Sequence, residues 1–295
     1  MEKISNEKGF RRYLTHDIHT HTHLSLCCSA PGIPDTYIRN AEERGISVLG
    51  FSDHMWDSSI PLPAKSEFYE IQNFAHICEI KKEISYHTDK VKVLFGAESE
   101  FCGAELLGIS REVAEQLDFL LVPHSHTHAV QIVQADPHIG NIRVSGLNRQ
   151  KCTLGIDQCQ LIIAVQRLPG RDHPLHGLIT SIAHPFLPVC KSIEYKNRIF
   201  DAISDERFVE CFDAAKDAGI GIEINPAHYF GAKCTPEQVA NDGYMRVLSI
   251  AKARGCRFSL GSDAHGLEEL DAIELAAVIL EKLNITDRDF IDLVK

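Results

Sequence analysis

The chain is 295 residues long, enough for one large α/β barrel or two small domains, and its 44% hydrophobic and 24% charged content is ordinary for a globular protein. A net charge of −11 argues against general affinity for nucleic acid or an anionic membrane. The polar start Met1-Glu2-Lys3-Ile4 carries no secretory pattern, no apolar run approaches the roughly 18 residues of a membrane span, and the ten cysteines have no framework spacing, so a reduced cytoplasmic protein is expected.

In chain order, Asp17-Ile18-His19-Thr20-His21-Thr22-His23-Leu24-Ser25 reads as a first strand running into a loop. Alternation places Asp17, His19, His21 and His23 on one face, about 7 Å apart. Such groups on a core-facing surface must be bonded or must coordinate something, and two imidazoles at i and i+2 can reach one ion together. The bland alternative is a solvated, tag-like tract. Asp35 to Arg44 is expected to be helical, stopped by Gly45; Ile46 to Phe51 is a buried strand entering Ser52-Asp53-His54. Apolar residues at helical spacing (Phe68, Ile71, Phe74, Ile77, Ile80, Ile84) predict one helix from Ser66 to about His87. Val91 to Phe95 is the next strand, ending in Gly-Ala-Glu98, and after a short helix over 111–116 the strand Asp118–Val122 ends in Pro-His124-Ser-His126.

Further on, Leu178 to Ala183 runs into His184-Pro185, a helix over 205–218 stops at Gly219, and the strand Ile220–Ile224 ends in Asn225-Pro226. Thr235-Pro236-Glu237-Gln238 is a capping box with proline at the first helical position, predicting one helix to Arg254. The strand Cys256–Leu260 leads to Asp263-Ala264-His265, and Leu267 to Leu283 is a closing amphipathic helix followed by a short helical tail. Strand and helix alternate at least six times with no linker-like composition, so one α/β domain over 1–295 is expected, its parallel sheet closed into a barrel. Histidine and carboxylate residues at strand C-termini fit the rim where such barrels build their sites, better than the single switch point of an open sheet. The segment at about 129–177 follows no period; it reads as a lid-like insertion or as a local frame error in the gene.

Collected strand by strand, the candidate metal ligands are His19, His21, His54, Glu98, His124 or His126, His184, Asp263 and His265. Imidazole and carboxylate without a thiolate cluster suit Zn, Fe or Mn, and this many donors suit two or three ions, with Glu98 as a bridge. Such a cluster generates hydroxide from a bound water near neutral pH and clamps a phosphoryl oxygen for in-line attack. No nucleophile elbow, Walker loop or dinucleotide-binding glycine motif competes.

The whole constellation resembles the PHP (polymerase and histidinol phosphatase) superfamily: Asp17-x-His19-x-His21-Thr22-x-x-Ser25, Ser52-Asp53-His54, Gly-Ala-Glu98, Ala-His184-Pro and Asp263-x-His265 correspond to its motifs. The resemblance implies a distorted (β/α)7 TIM-like barrel, usually three metal ions, and phosphoester hydrolysis. It implies that His19, His21, Glu98 and Asp263 hold one ion, that Glu98, His184 and the His124/His126 position hold a second, and that His54 and His265 hold a third. Where the family often has an acidic residue or histidine to complete the third ion, this chain has Cys27; either a thiolate serves there or that site is weak. The expected function is a phosphatase acting on a small phosphomonoester such as histidinol phosphate. A phosphodiesterase or nuclease of the same superfamily, an amidohydrolase-type metallohydrolase and a non-catalytic binding module are the alternatives.

Catalytic roles beside the ions are expected for Asp53, which orients a ligand or takes a leaving-group proton, and for His265. Arg171 and Lys191 are expected to grip phosphate because they flank the His184 strand, with Arg198 and Lys233 as further loop cations. His76 and His87 are expected at a helix surface, His16 on the opposite face of the first strand, and Glu223 as a structural hydrogen-bonder. His23 and His228 stand between a role in the site and a structural or solvated one.

Overall fold

The computed structural model describes residues 14–28, 32–62, 66–100, 106–123, 175–187, 193–229 and 234–295. The strands are β1 (His16–Thr20), β2 (Val48–Phe51), β3 (His54–Met55), β4 (Lys92–Ser99), β5 (Phe119–Pro123), β6 (Ser181–Ala183), β7 (Gly221–Ile224) and β8 (Phe258–Leu260). All neighbours pair in parallel in the order β1-β2-β4-β5-β6-β7-β8, and the two-residue β3 adds to β4 beyond the end of β2. The result is a nearly closed seven-stranded α/β barrel, as the strand–helix alternation predicts.

The seam between β8 and β1 explains why closure is only near. Past the strand ends, His21 N–H donates to the Ala264 carbonyl (2.9 Å) and Asp263 N–H to that of His19 (2.8 Å). At the end of β8 and just beyond it, side chains replace the ladder: Leu260 N–H donates to His16 Nε2 (2.9 Å) and Ser262 N–H to Asp17 Oδ1 (2.9 Å). Buried backbone groups must find partners, and here the first strand's own polar residues provide them. His16 thus lies away from the site, edge-on to Phe290 with ring centroids 4.7 Å apart, and burial pushes its pKa down to about 3.

Two expected helices are each broken in two. Ser66–His87 divides into Glu67–Ile71 and Phe74–Glu83, because the Asn73 side chain accepts from Ala75 N–H and His76 N–H and starts a new helix. The break turns the buried Gln72 inward, where its Oε1 accepts from Ser25 Oγ (3.1 Å) and Leu26 N–H (3.0 Å) and its carbonyl from Trp56 N–H (2.8 Å). His87 therefore lies beyond the helix, exposed. The stretch after Thr235 divides at Asn241–Asp242 into Pro236–Ala240, with the expected capping box, and Gly243–Ala253, where Asp242 caps Tyr244 N–H. Asp242 also pairs with Lys196 Nζ at 2.8 Å, both side chains buried. Lys196 belongs to a helix, Ile193–Asp201, that the periodicity did not predict, and this corrects the placement of Arg198, which sits on that helix rather than on a loop. Among the described residues no helix is long and apolar enough to cross a membrane.

Candidate metal centre

The site is built from the C-terminal ends of the strands. His19 sits next to the end of β1 and His21 follows it; His54 begins β3; Glu98 sits next to the end of β4; His184 follows β6 directly; Asp263 and His265 follow β8. His184 (φ 29°) and Asp263 (φ 56°) have left-handed backbones, a conformation that costs an ordinary residue of order 1–3 kcal/mol and survives only where neighbours enforce it. Asp263 N–H is held by the His19 carbonyl and His184 N–H by Glu223 Oε2. The strand ends are also pressed together: a Cβ on Gly261 would lie 2.0 Å from Glu223 Oε1 and 2.4 Å from His19 Cβ.

The donor atoms converge. His19 Nε2 and His21 Nε2 are 3.2 Å apart, each 3.5 Å from Glu98 Oε2 and 3.3 and 3.2 Å from Asp263 Oδ1. Glu98 reaches further, with Oε2 3.0 Å from His54 Nδ1 and Oε1 3.0 Å from His184 Nε2. Ligands about 2.0–2.1 Å from a tetrahedral ion lie about 3.3 Å from one another, so the donor set and its spacing fit a divalent ion. Glu98, facing three ring systems with one oxygen and a fourth with the other, has the arrangement of a bridging carboxylate. A second group, His21, Cys27, His54 and His265, also brings one donor atom each to within 4.8 Å of all the others. The rings pack against one another across the site, His21 stacked on His265 at 4.3 Å and tilted against His54 at 4.6 Å.

Neighbouring groups orient the rings. Glu223 Oε1 lies 2.7 Å from His19 Nδ1 and Oε2 accepts from Asn225 Nδ2 at 2.9 Å, the carboxylate–imidazole pairing that fixes a tautomer and leaves Nε2 for an ion. Glu223 is the structural hydrogen-bonder its place in the strand predicted, and its target is a candidate ligand. His265 Nδ1 lies 2.8 Å from the Asp263 carbonyl, and Tyr37 Oη donates to the His21 carbonyl at 2.9 Å. Asp53 is buried with both oxygens on Thr22, Oδ1 from its N–H and Oδ2 from its hydroxyl, each at 2.6 Å; it ties the loop after β1 to the loop after β2.

The electrostatics follow from burying imidazoles among carboxylates. Burial opposes charge on His19, but Glu223, Asp263 and Glu98 outweigh it and hold its pKa well above the usual value. Burial is likewise overcome at His54, raised to about 9 chiefly by Glu98, and at His265, raised to about 10 by Cys27 and Asp263. His21 goes the other way, down to about 4, through burial and the neighbouring His265 and His54. Asp263 is held far below the carboxylate range by His19 and His21 despite its burial, and burial lifts Asp17 to about 6. The carboxylates make this a pocket that favours positive charge.

Of the predicted residues, the structure brings together His19, His21, His54, Glu98, His184, Asp263 and His265, with Asp53 beside them. His124, His126, Arg171, Lys191 and Lys233 lie outside the described residues, as does most of the unpatterned segment at about 129–177. His23 turns outward, its Nε2 3.3 Å from Glu83 on the neighbouring helix. His76 departs from expectation: its ring points inward, Nε2 3.7 Å from Asp53 Oδ2. Ile77 and Ile80 of the same helix are buried as their spacing predicts, and His76 beside them faces a carboxylate from another loop, a contact that helical spacing does not encode.

Comparison with known proteins agrees with this geometry. A probable phosphatase of Aliivibrio fischeri is 35% identical over 82 residues, 28% of this chain and 31% of the relative, and its counterpart from a second strain is 34% identical over the same length. The alignment thus spans about a third of these curated relatives. The fold matches a histidinol phosphate phosphatase from Lactococcus lactis, solved with zinc, L-histidinol and phosphate, at a TM-score of 0.52 and 16% identity over 92% of this chain and 95% of that one. A putative histidinol phosphatase from Listeria monocytogenes matches at 0.51 and 16% over 86% and 97%. The PHP domain model matches residues 17–262, a span that takes in His19, His21, His54, Glu98 and His184 and stops just short of Asp263 and His265, and the chain belongs to the PHP domain family.

Proposed function

We propose that this chain is a metal-dependent phosphoesterase acting on a small phosphomonoester, with histidinol phosphate the substrate to test first. The observation that carries the reading is Glu98, one buried carboxylate with His54, His19 and His21 around Oε2 and His184 against Oε1. In this reading His19, His21, Glu98 and Asp263 hold one ion, Glu98 and His184 with His124 or His126 a second, and His54 with His265 a third. Zn, Fe and Mn all suit these donors. Two or three such ions, when bound, supply a water activated near neutral pH and a positive anchor for phosphoryl oxygens.

The protein's own contribution is orientation. Glu223 accepts the Nδ1 proton of His19, so the Nε2 lone pair faces the cluster. Asp53, through Thr22, fixes the chain immediately after His21, which supports a positioning role for it. His265, anchored through Nδ1, keeps Nε2 as the atom that binds an ion or steers the leaving group's proton. Arg171 and Lys191 are proposed to grip the phosphate as planar and point cations respectively. The Lactococcus fold neighbour supports the substrate class, since its crystal holds zinc, L-histidinol and phosphate. Net charge of −11 supports a small substrate over nucleic acid, and the free thiols of Cys27 and Cys28 support a reduced, cytoplasmic setting.

Protein purified without chelator, analysed for metals and assayed against a panel of phosphomonoesters, tests this. The expected result is bound transition metal and phosphate release, lowered at least about 100-fold in Glu98→Gln, which removes the bridging charge. Absence of transition metal, or no release from any monoester or diester by metal-loaded protein, contradicts it.

A further inference from the structure

We propose that Cys27 is a thiolate ligand that completes the ion position of His54 and His265, and that it biases this position towards thiophilic ions such as zinc and cobalt over manganese. The inference rests on the metal-dependent reading above and adds a residue and a selectivity to it. His21, Cys27, His54 and His265 each place a donor atom within 4.8 Å of the other three, the size of a single coordination sphere. The imidazoles of His54 and His265 beside one sulfur are borderline-to-soft donors, which favour zinc and cobalt, whereas manganese prefers oxygen. His21 Nδ1 is buried without a hydrogen-bond partner, and the His21 ring stacks on His265 and lies tilted against His54.

The turn that carries Cys27 is built to present it. Ser25 N–H donates to the Thr22 carbonyl and Cys28 N–H to the Ser25 carbonyl, each at 3.0 Å, closing two tight turns around the thiol. Gln72 Oε1 clamps the same turn from the helix break, accepting from Ser25 Oγ and Leu26 N–H. The Ser25 hydroxyl also lies 3.2 Å from Cys27 Sγ. Its single proton serves Gln72 when Cys27 is a thiol and is available to a thiolate sulfur when Cys27 is deprotonated. Phe68 packs edge-to-face with His54, ring centroids 5.4 Å apart. Cys27 itself is exposed, so the position exchanges ions with solvent more readily than the buried Glu98 cluster.

Cobalt substitution tests this without relying on activity. Metal-depleted wild-type protein titrated with Co²⁺ is expected to develop visible d–d bands together with a near-ultraviolet sulfur-to-cobalt charge-transfer band. In Cys27→Ser the charge-transfer band is lost and the most weakly held cobalt binds at least about tenfold less tightly, while the d–d bands of the remaining ions persist. In Cys27→Asp the full cobalt stoichiometry returns without the charge-transfer band, and manganese competes with zinc better than in the wild type. Cys28→Ser keeps the band. Cobalt bound with d–d bands but no charge-transfer band, or a band that survives Cys27→Ser, overturns the assignment and leaves the metal reading standing. No cobalt binding by the wild type overturns both.

Discussion

Glu223 has no place among the candidate ligands, yet its carboxylate satisfies His19 Nδ1, His184 N–H and Asn225 Nδ2 at once. Glu223→Gln offers one acceptor oxygen where three donors meet and sets an amide N–H against another. Metal affinity is expected to fall about 10- to 100-fold with the fold intact, measured by competition with a chromophoric chelator. His16 supports the barrel in a different way, by accepting from Leu260 N–H as a buried neutral ring. Its folded pKa, about 3, lies below the unfolded value near 6.5, so the unfolded chain binds the extra proton between those limits. The stability it contributes is therefore present above pH 6.5 and is lost as pH falls towards 3, by up to about 1.4 kcal/mol per unit. Urea unfolding of the chelated protein at pH 7 and pH 4.5 is expected to show a smaller loss in His16→Gln, which keeps an acceptor without the titration. An equal loss in both proteins contradicts the assignment.

The strands were legible because buried apolar runs lead into polar motifs: Ser52-Asp53 follows β2 and His184 follows β6, whereas β4 runs on through Gly-Ala-Glu98 to Ser99 where the apolar run alone predicted an end at Phe95. The helices were less so. Apolar spacing continues straight through Gln72–Asn73 and Asn241–Asp242, and side-chain capping by Asn73 and Asp242 overrides it. His76, expected at a helix surface, instead lies with Nε2 3.7 Å from Asp53 Oδ2. The tightest element-level constraint is the approach of β8 to β1 and β7. Gly261→Ala must displace either Glu223 or His19, since the added carbon would sit 2.0 and 2.4 Å from them. A loss of roughly 1–3 kcal/mol in stability is expected, together with weaker metal binding, whereas Gly45→Ala, where nothing lies within 4 Å, leaves metal binding unchanged. Metal content measured beside the thermal midpoint separates the two effects.

Taken whole, the molecule has a barrel seam and a candidate metal centre that share one strand. β1 gives His16 and Asp17 to the backbone of β8 and its extension, and two residues later gives His19 and His21 to the cluster, with Asp263 returning from across the same seam. One short stretch of sequence thus carries both the closure of the barrel and the first two candidate ligands, Asp17 serving the seam and His19 and His21 the cluster. What sequence alone left open, the partners of Glu223 and the orientation of Asp53, depends on contacts between residues far apart in the chain. The central claim is that side chains from these strand ends hold several ions around Glu98. Crystals of protein purified without chelator, with anomalous data collected at the metal edges, test it most directly. The account predicts peaks about 2.0–2.3 Å from His19, His21 and Asp263 and from His184, with both groups sharing Glu98, and a further peak beside His54 and His265. Anomalous peaks that avoid these donors, or a fully ordered Glu98 with no ion near either oxygen, would contradict it.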